Sequence, residues 1–190
     1  MNQPRVFLIH GWEGIPNGGW RSWVMGKLAL EDVYACALPM PKPDLPVPSE
    51  WVEEIGRAAG VPDENVYLIG HSLGVPAIMQ YLKSLPEGVK IGGAVLVSGP
   101  MREPDPVKYA AIVPFFTPAF DFEHAKKVCA RFAVIHGDND HVVPFTDAEE
   151  FSKALSCPLI SIPNGGHLNG SSGWRELPPL LDTLHDFLKR

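Results

Sequence analysis

Val66-Tyr67-Leu68-Ile69-Gly70-His71-Ser72-Leu73-Gly74-Val75-Pro76-Ala77-Ile78-Met79-Gln80-Tyr81 is the stretch that decides the fold. Its first four residues are all apolar, which suits a strand buried on both faces. Gly70-His71-Ser72-Leu73-Gly74 then places a G-x-S-x-G between that strand and a helical run predicted from about Leu73 to Leu85. The spacing has a physical reason. A serine whose hydroxyl must project from a strand-to-helix junction sits on a sharp turn, and glycines two residues to either side leave room for that turn. The following helix aims its N-terminal amides at the same place, so the Leu73 amide is a candidate oxyanion donor. Ser72 is the candidate nucleophile.

Outward from this stretch, short apolar runs alternate with helical patterns. Strands are predicted at Arg5 to His10, Val33 to Leu38, Ile91 to Val97, Phe132 to His136 and Leu159 to Ile162, besides Val66 to Ile69. Helices are predicted from Trp20 to Leu30, from an N-cap at Ser49 to about Ala59, from Asp147 to Leu155, and within Trp174 to Leu188. Continuous apolar strands separated by helices predict a doubly wound, three-layer α/β/α sandwich with a mostly parallel six-stranded sheet. Residues 1–190 read as one domain, with no repeat or linker. In such sheets, sites form beyond the carboxyl ends of the strands.

Three of those ends carry further chemistry. After the first strand, His10-Gly11-Trp12-Glu13-Gly14 offers a glycine-containing loop whose Trp12 amide is the candidate second oxyanion donor. After the fifth, Gly137-Asp138-Asn139-Asp140-His141-Val142-Val143-Pro144 supplies the carboxylate a triad needs to orient and charge-stabilise its histidine. Asp140 is the choice; Asp138 is the alternative, with a turn-capping role as its other reading. After the sixth, Gly165-Gly166-His167 brings a histidine on a flexible approach. The chain order Ser72, Asp140, His167 is the one this fold uses.

His10, His71 and His136 lie at strand ends, where hydrogen bonding within the structure is their ordinary role. His10 is also counted with Trp12, Phe115 and Phe116 as a candidate substrate-binding residue. The last two belong to a long proline- and aromatic-rich connection over residues 99–120 that is expected to overhang the site. A metal centre built from His136, Asp138, Asp140, His141 and His167 is a weaker possibility, because it leaves the Ser72 turn unexplained. No metal and no organic cofactor is expected.

With a net charge of −6, the chain lacks the basic surface that nucleic-acid or polybasic membrane-surface binding requires. No apolar run is long enough to span a bilayer. Three cysteines (Cys36, Cys129, Cys157) without metal spacing read as reduced thiols, and with no signal-peptide pattern the expectation is a cytoplasmic protein.

Taken together, Val6-Phe7-Leu8-Ile9-His10-Gly11 with Trp20 and Trp23, Gly70-His71-Ser72-Leu73-Gly74, Asp140-His141-Val142-Val143-Pro144 and Gly165-Gly166-His167 resemble the small α/β-hydrolases of the retinoblastoma-binding-protein-nine and YdeN type. The resemblance covers nearly the whole chain. It implies a compact hydrolase without a separate cap domain, with Ser72, Asp140 and His167 in the triad positions. The expected reaction is hydrolysis of a small-molecule ester, amide or thioester through an acyl-enzyme. The alternative is a catalytically weak protein-binding module on the same fold, and protein partners are left open.

Overall fold

Alternation along the strands sets the layers. In β1 (Arg5–Ile9), Val6 and Leu8 join the apolar cluster on one side of the sheet, while Phe7 and Ile9 join the cluster on the other. β3 (Val66–His71) divides its residues the same way, with Ile69 on the first side and Leu68 on the second, and is buried throughout. A strand buried on both faces has no place for polar alternation, so the sequence reads as unbroken apolar runs.

The computed structural model describes residues 3–189. Its six-stranded sheet has the order β2-β1-β3-β4-β5-β6, with every neighbouring pair parallel. The remaining strands are β2 (Tyr34–Ala37), β4 (Gly93–Val97), β5 (Phe132–Gly137) and β6 (Leu159–Ile162). α1 (Arg21–Ala29) and α6 (Pro178–Leu188) supply Val24, Leu28, Leu180 and Leu184 to the first apolar cluster. α2 (Pro48–Ala59), α3 (Gly74–Ser84), α4 (Phe122–Val128) and α5 (Phe145–Leu155) supply the second through residues such as Trp51, Ile78, Val128 and Phe151. This is the expected α/β/α sandwich. The chain leaves β1 for β2 in one direction and returns to β3 on the other side of β1. The crevice between the carboxyl ends of β1 and β3 is therefore the switch point where doubly wound sheets place their sites.

Several boundaries differ from expectation, each for a local reason. The last helix starts at Pro178 and not near Trp174: Leu177, at φ −141°, ψ 74°, lies outside the helical region that proline disfavours for the residue before it, and Pro178 opens the helix. The second helix starts at Pro48, one residue before the predicted Ser49 cap, again with proline in the first turn. Ile91 forms an isolated bridge with Cys129, so β4 proper begins at Gly93. Residues 99–120 hold one turn of 3-10 helix at Val113–Phe116. Among the described residues, no helix is long and apolar enough to cross a membrane.

Candidate active site

Ser72 follows the last residue of β3 and has φ +53°, a left-handed conformation that costs a side chain about 1 kcal/mol or more. Its amide donates to Val97 O at 2.9 Å and its carbonyl accepts from Val75 N at 2.9 Å, which pins the turn from both sides. The flanking glycines are required by contact. A Cβ on Gly74 would lie 2.5 Å from Ile9 O, and one on Gly70 would lie 2.7 Å from Gly74 O. The G-x-S-x-G spacing is thus a packing requirement of a strained turn against β1.

Gly11 passes directly against this turn, since a Cβ there would sit 2.9 Å from Ser72 Cβ. The Gly11 carbonyl accepts from His10 Nδ1 at 2.8 Å and from Gly14 N at 3.0 Å. In a trans peptide the carbonyl and the following N–H point in opposite directions. Tying the Gly11 carbonyl down therefore turns the Trp12 N–H away from His10. Leu73 is the N-cap of α3, so its amide belongs to the helix-start donors that lack an intrahelical partner. His10 is 1% exposed, with its ring against Trp51, so the structure places it beneath the loop as a support for that peptide.

The loops after β5 and β6 meet at the carboxylate. His167 Nδ1 donates to Asp140 Oδ2 at 2.7 Å, and Asp140 Oδ1 accepts from Val142 N at 2.8 Å and Val143 N at 3.1 Å. Burial works to raise the Asp140 carboxyl, but the His167 hydrogen bond and the two amides outweigh it and hold the group below the usual carboxylate range. With Nδ1 as the donor, Nε2 of a neutral His167 is left as the basic nitrogen. Asp138 does what the alternative reading allowed: its Oδ1 accepts from Asn164 N at 2.8 Å and fastens one loop to the other. Asn139, which had no predicted role, accepts from Gly166 N at 2.7 Å.

Buried Trp20 and His71, with half-buried Trp174, hold the His167 loop. His71 Nε2 donates to His167 O at 2.9 Å, Trp20 Nε1 to Leu168 O at 2.8 Å, and Trp174 Nε1 to Gly165 O at 2.7 Å. Burial first, and then the neighbouring His167, push the His71 ring down to about 3, so it is neutral at ordinary pH. His136 donates from Nε2 to Val143 O at 3.1 Å and lies 3.4 Å from Asp140 Oδ2. These placements match the structural role expected for His71 and His136.

Ser72 and His167 line one open cleft of about 450 Å³, with Trp12, Arg21, Asn169 and Arg175 among its other walls. No residue of the aromatic connection is among its walls, although Tyr109 packs edge-on behind Trp12 with ring centroids 6.0 Å apart. Phe115 is wholly buried against Trp51, with ring centroids 5.3 Å apart. Phe116 lines a separate pocket of about 250 Å³ beside Phe120. Both rings cover the sheet, as the apolar pattern of residues 112–120 equally permits. Arg21 and Arg175 had no signal of their own in the sequence, because an arginine in a helix start or a loop is ordinarily a surface residue. Of the five residues weighed as metal ligands, Asp138 and His141 are exposed, and no group of three or more His, Cys, Asp or Glu is placed to hold an ion among the described residues.

A family model described as serine hydrolase matches residues 6–186. The YdeN protein of Bacillus subtilis is 28% identical over 186 residues, spanning 98% of this chain and 97% of its own length. The crystal structure of the ydeN gene product superposes with a TM-score of 0.93 at 28% identity, covering 99% of this chain and 100% of that one. An esterase from a Rhodococcus species has a TM-score of 0.70 at 18% identity, covering 98% of this chain and 90% of its own, a likeness of fold.

Proposed function

The chain belongs to the serine hydrolase family, and on that premise we propose that it cleaves a small carboxylic ester, or a related amide or thioester, through an acyl-enzyme on Ser72. The observation that carries this reading is a left-handed Ser72 on the same cleft as a His167 ring whose Nδ1 is committed to Asp140.

His167 Nε2 takes the hydroxyl proton as Ser72 Oγ attacks the substrate carbonyl carbon. The carbonyl oxygen becomes an oxyanion, held by the amides of Leu73 and Trp12. When the tetrahedral intermediate collapses, the bond to the leaving group breaks and that group takes the proton from His167. Water then attacks the acyl carbon and gives a proton to His167; as the second tetrahedral intermediate collapses, His167 returns that proton to Ser72 Oγ, and the acid leaves with the serine hydroxyl restored. Asp140 keeps His167 in the required tautomer and stabilises its charged form throughout.

The cleft is open at the loops after β1 and β6, and the aromatic connection adds no wall to it, so short acyl groups suit it better than long chains. A fluorophosphonate probe should label the wild type and not Ser72→Ala, and kcat on p-nitrophenyl acetate should fall on the order of 10⁶-fold in the variant. Full labelling of Ser72→Ala overturns the assignment. Across p-nitrophenyl esters of increasing length, the shortest acyl groups should react best, and a preference for the longest counts against the proposed substrate size.

A further inference from the structure

Arg21 stands at the start of α1 and is 6% exposed, yet it lines the cleft that holds Ser72. Its Nε and Nη2 donate to Pro16 O and Ile15 O, both at 2.9 Å. No carboxylate pairs with it among the described residues. Burial lowers the group only to about 10, so it is charged at neutral pH. A buried cation without a counter-ion is costly, and this one persists in a chain of net charge −6.

A second arginine lines the same cleft. Arg175 lines the cleft from the loop beyond β6 and has no ion pair among the described residues. Glycines make room for both guanidinium groups: a Cβ on Gly18 would lie 2.9 Å from Arg21 Nη2, and one on Gly170 would lie 2.9 Å from Arg175 Nη1. Among the described residues the only carboxylate on the cleft wall is Glu13, which is exposed and pairs with neither arginine. Arg21 shares the cleft wall with His71, Ser72 and His167, which places it at the reacting end.

We propose that the substrate carries a carboxylate group in addition to its scissile carbonyl, and that Arg21 and Arg175 form the subsite that receives it. This rests on the serine-hydrolase reading above. Arg21 gives the subsite depth and a fixed direction, because two of its nitrogens are already committed to backbone. Arg175 is the movable partner at the rim. A planar guanidinium is well matched to a carboxylate, and the partly desolvated cleft strengthens the pair.

Two matched pairs of esters test it. Mono-4-nitrophenyl glutarate against its methyl ester puts the charge on the acyl side, and 4-acetoxybenzoate against its methyl ester puts it on the leaving-group side. One pair should favour the charged member by about tenfold or more in kcat/KM. Arg21→Gln and Arg175→Gln should each bring that ratio towards one. Arg175→Lys should retain part of it. An Arg21 that only braces the loop would slow both members equally, and an unchanged ratio in the Arg175 variants overturns the subsite. Arg175 is exposed, so its variants keep the test available if Arg21→Gln fails to fold. Calorimetric binding of glutarate against glutaramide reads the subsite without turnover. Glutarate should bind the wild type at least about tenfold more tightly than the Arg175→Gln variant, and equal binding of glutarate and glutaramide overturns the proposal. Loss of Ser72 labelling and of all ester hydrolysis would instead remove the hydrolase reading, leaving glutarate binding to decide the subsite alone.

Discussion

The carboxylate of Asp140 is divided between its two oxygens: Oδ2 is given to His167 Nδ1 at 2.7 Å, and Oδ1 to the amides of Val142 and Val143. Its side chain is wholly buried, so the ring it holds has no competing water on that side. Asp140→Asn keeps the shape but presents an amide that stabilises the wrong His167 tautomer. On the model of the serine-protease triad, kcat should fall on the order of 10⁴-fold. Asp138→Ala removes only the bond to Asn164 N and should cost about 1 kcal/mol of stability while kcat stays within roughly tenfold. Steady-state rates on p-nitrophenyl acetate separate the two, and a larger loss from Asp138→Ala would exchange their roles.

Buried histidines should make the fold sensitive to mild acid. Burial depresses the rings of His71, His10 and His136, with His71 at about 3. An unfolded histidine titrates near 6.5. As pH falls below that value the unfolded chain takes up protons that the folded rings refuse, so stability drops. For His71 the loss runs down to about pH 3, at up to about 1.4 kcal/mol per pH unit. The depressed Asp140 carboxyl adds a further loss only below its ordinary range near 4. Urea midpoints should therefore decline from pH 7 to pH 4. His71→Gln, which can still donate to His167 O, should flatten that decline by as much as one proton. An unchanged slope would mean that His71 is not held neutral.

The parts of the molecule that sequence made legible are those where one residue type has one physical use. Leu68 and Ile69 in an unbroken apolar run can only suit a strand covered on both faces, and Gly70 and Gly74 around Ser72 announce a turn that side chains would block. Asp140 was separable from Asp138 only as a choice, because a turn rich in Asp and Asn offers both capping and catalysis. Phe115 and Phe116 were misplaced for a different reason: an aromatic pattern reports burial, and not whether the ring faces a cleft or the sheet. Arg21 leaves no trace because an arginine at a helix start is ordinarily exposed, and its burial depends on how the segment just before α1 folds back over it through Pro16 O, Ile15 O and Gly18.

Two glycine-to-alanine changes should act in opposite directions. At Gly74 an added Cβ meets Ile9 O at 2.5 Å and His10 O at 3.0 Å, both backbone atoms of the β1 end that cannot swing aside. Gly74→Ala should cost about 2–3 kcal/mol and displace the turn, lowering activity as well as Tm. At Gly26, inside α1, nothing lies within 4 Å of the added atom. Gly26→Ala should raise stability by about 0.5–1 kcal/mol, through the lower helical propensity of glycine. At roughly 2–4 °C per kcal/mol for a chain of this size, thermal melts resolve both. A tolerated Gly74→Ala would mean that β1 and α3 are less closely packed than these contacts require.

The turn at Ser72 makes a stability prediction that is independent of chemistry. Its φ of +53° brings Cβ towards the following carbonyl, and alanine has the same Cβ, so Ser72→Ala keeps the strain while losing the hydroxyl. Glycine has no such conflict. Ser72→Gly should therefore release about 1–2 kcal/mol of backbone strain and give back about 0.4–1 kcal/mol through the greater freedom of glycine in the unfolded chain. The net expectation is a Ser72→Gly variant that melts a few degrees above Ser72→Ala, with both unlabelled by the fluorophosphonate probe. A serine retained at a position where glycine is more stable is held there by what its hydroxyl does, since the fold alone favours its removal. Equal melting temperatures for the two variants would mean that the strain does not exceed the about 0.4–1 kcal/mol that glycine's freedom in the unfolded chain takes back, and it would no longer count in favour of Ser72 as nucleophile.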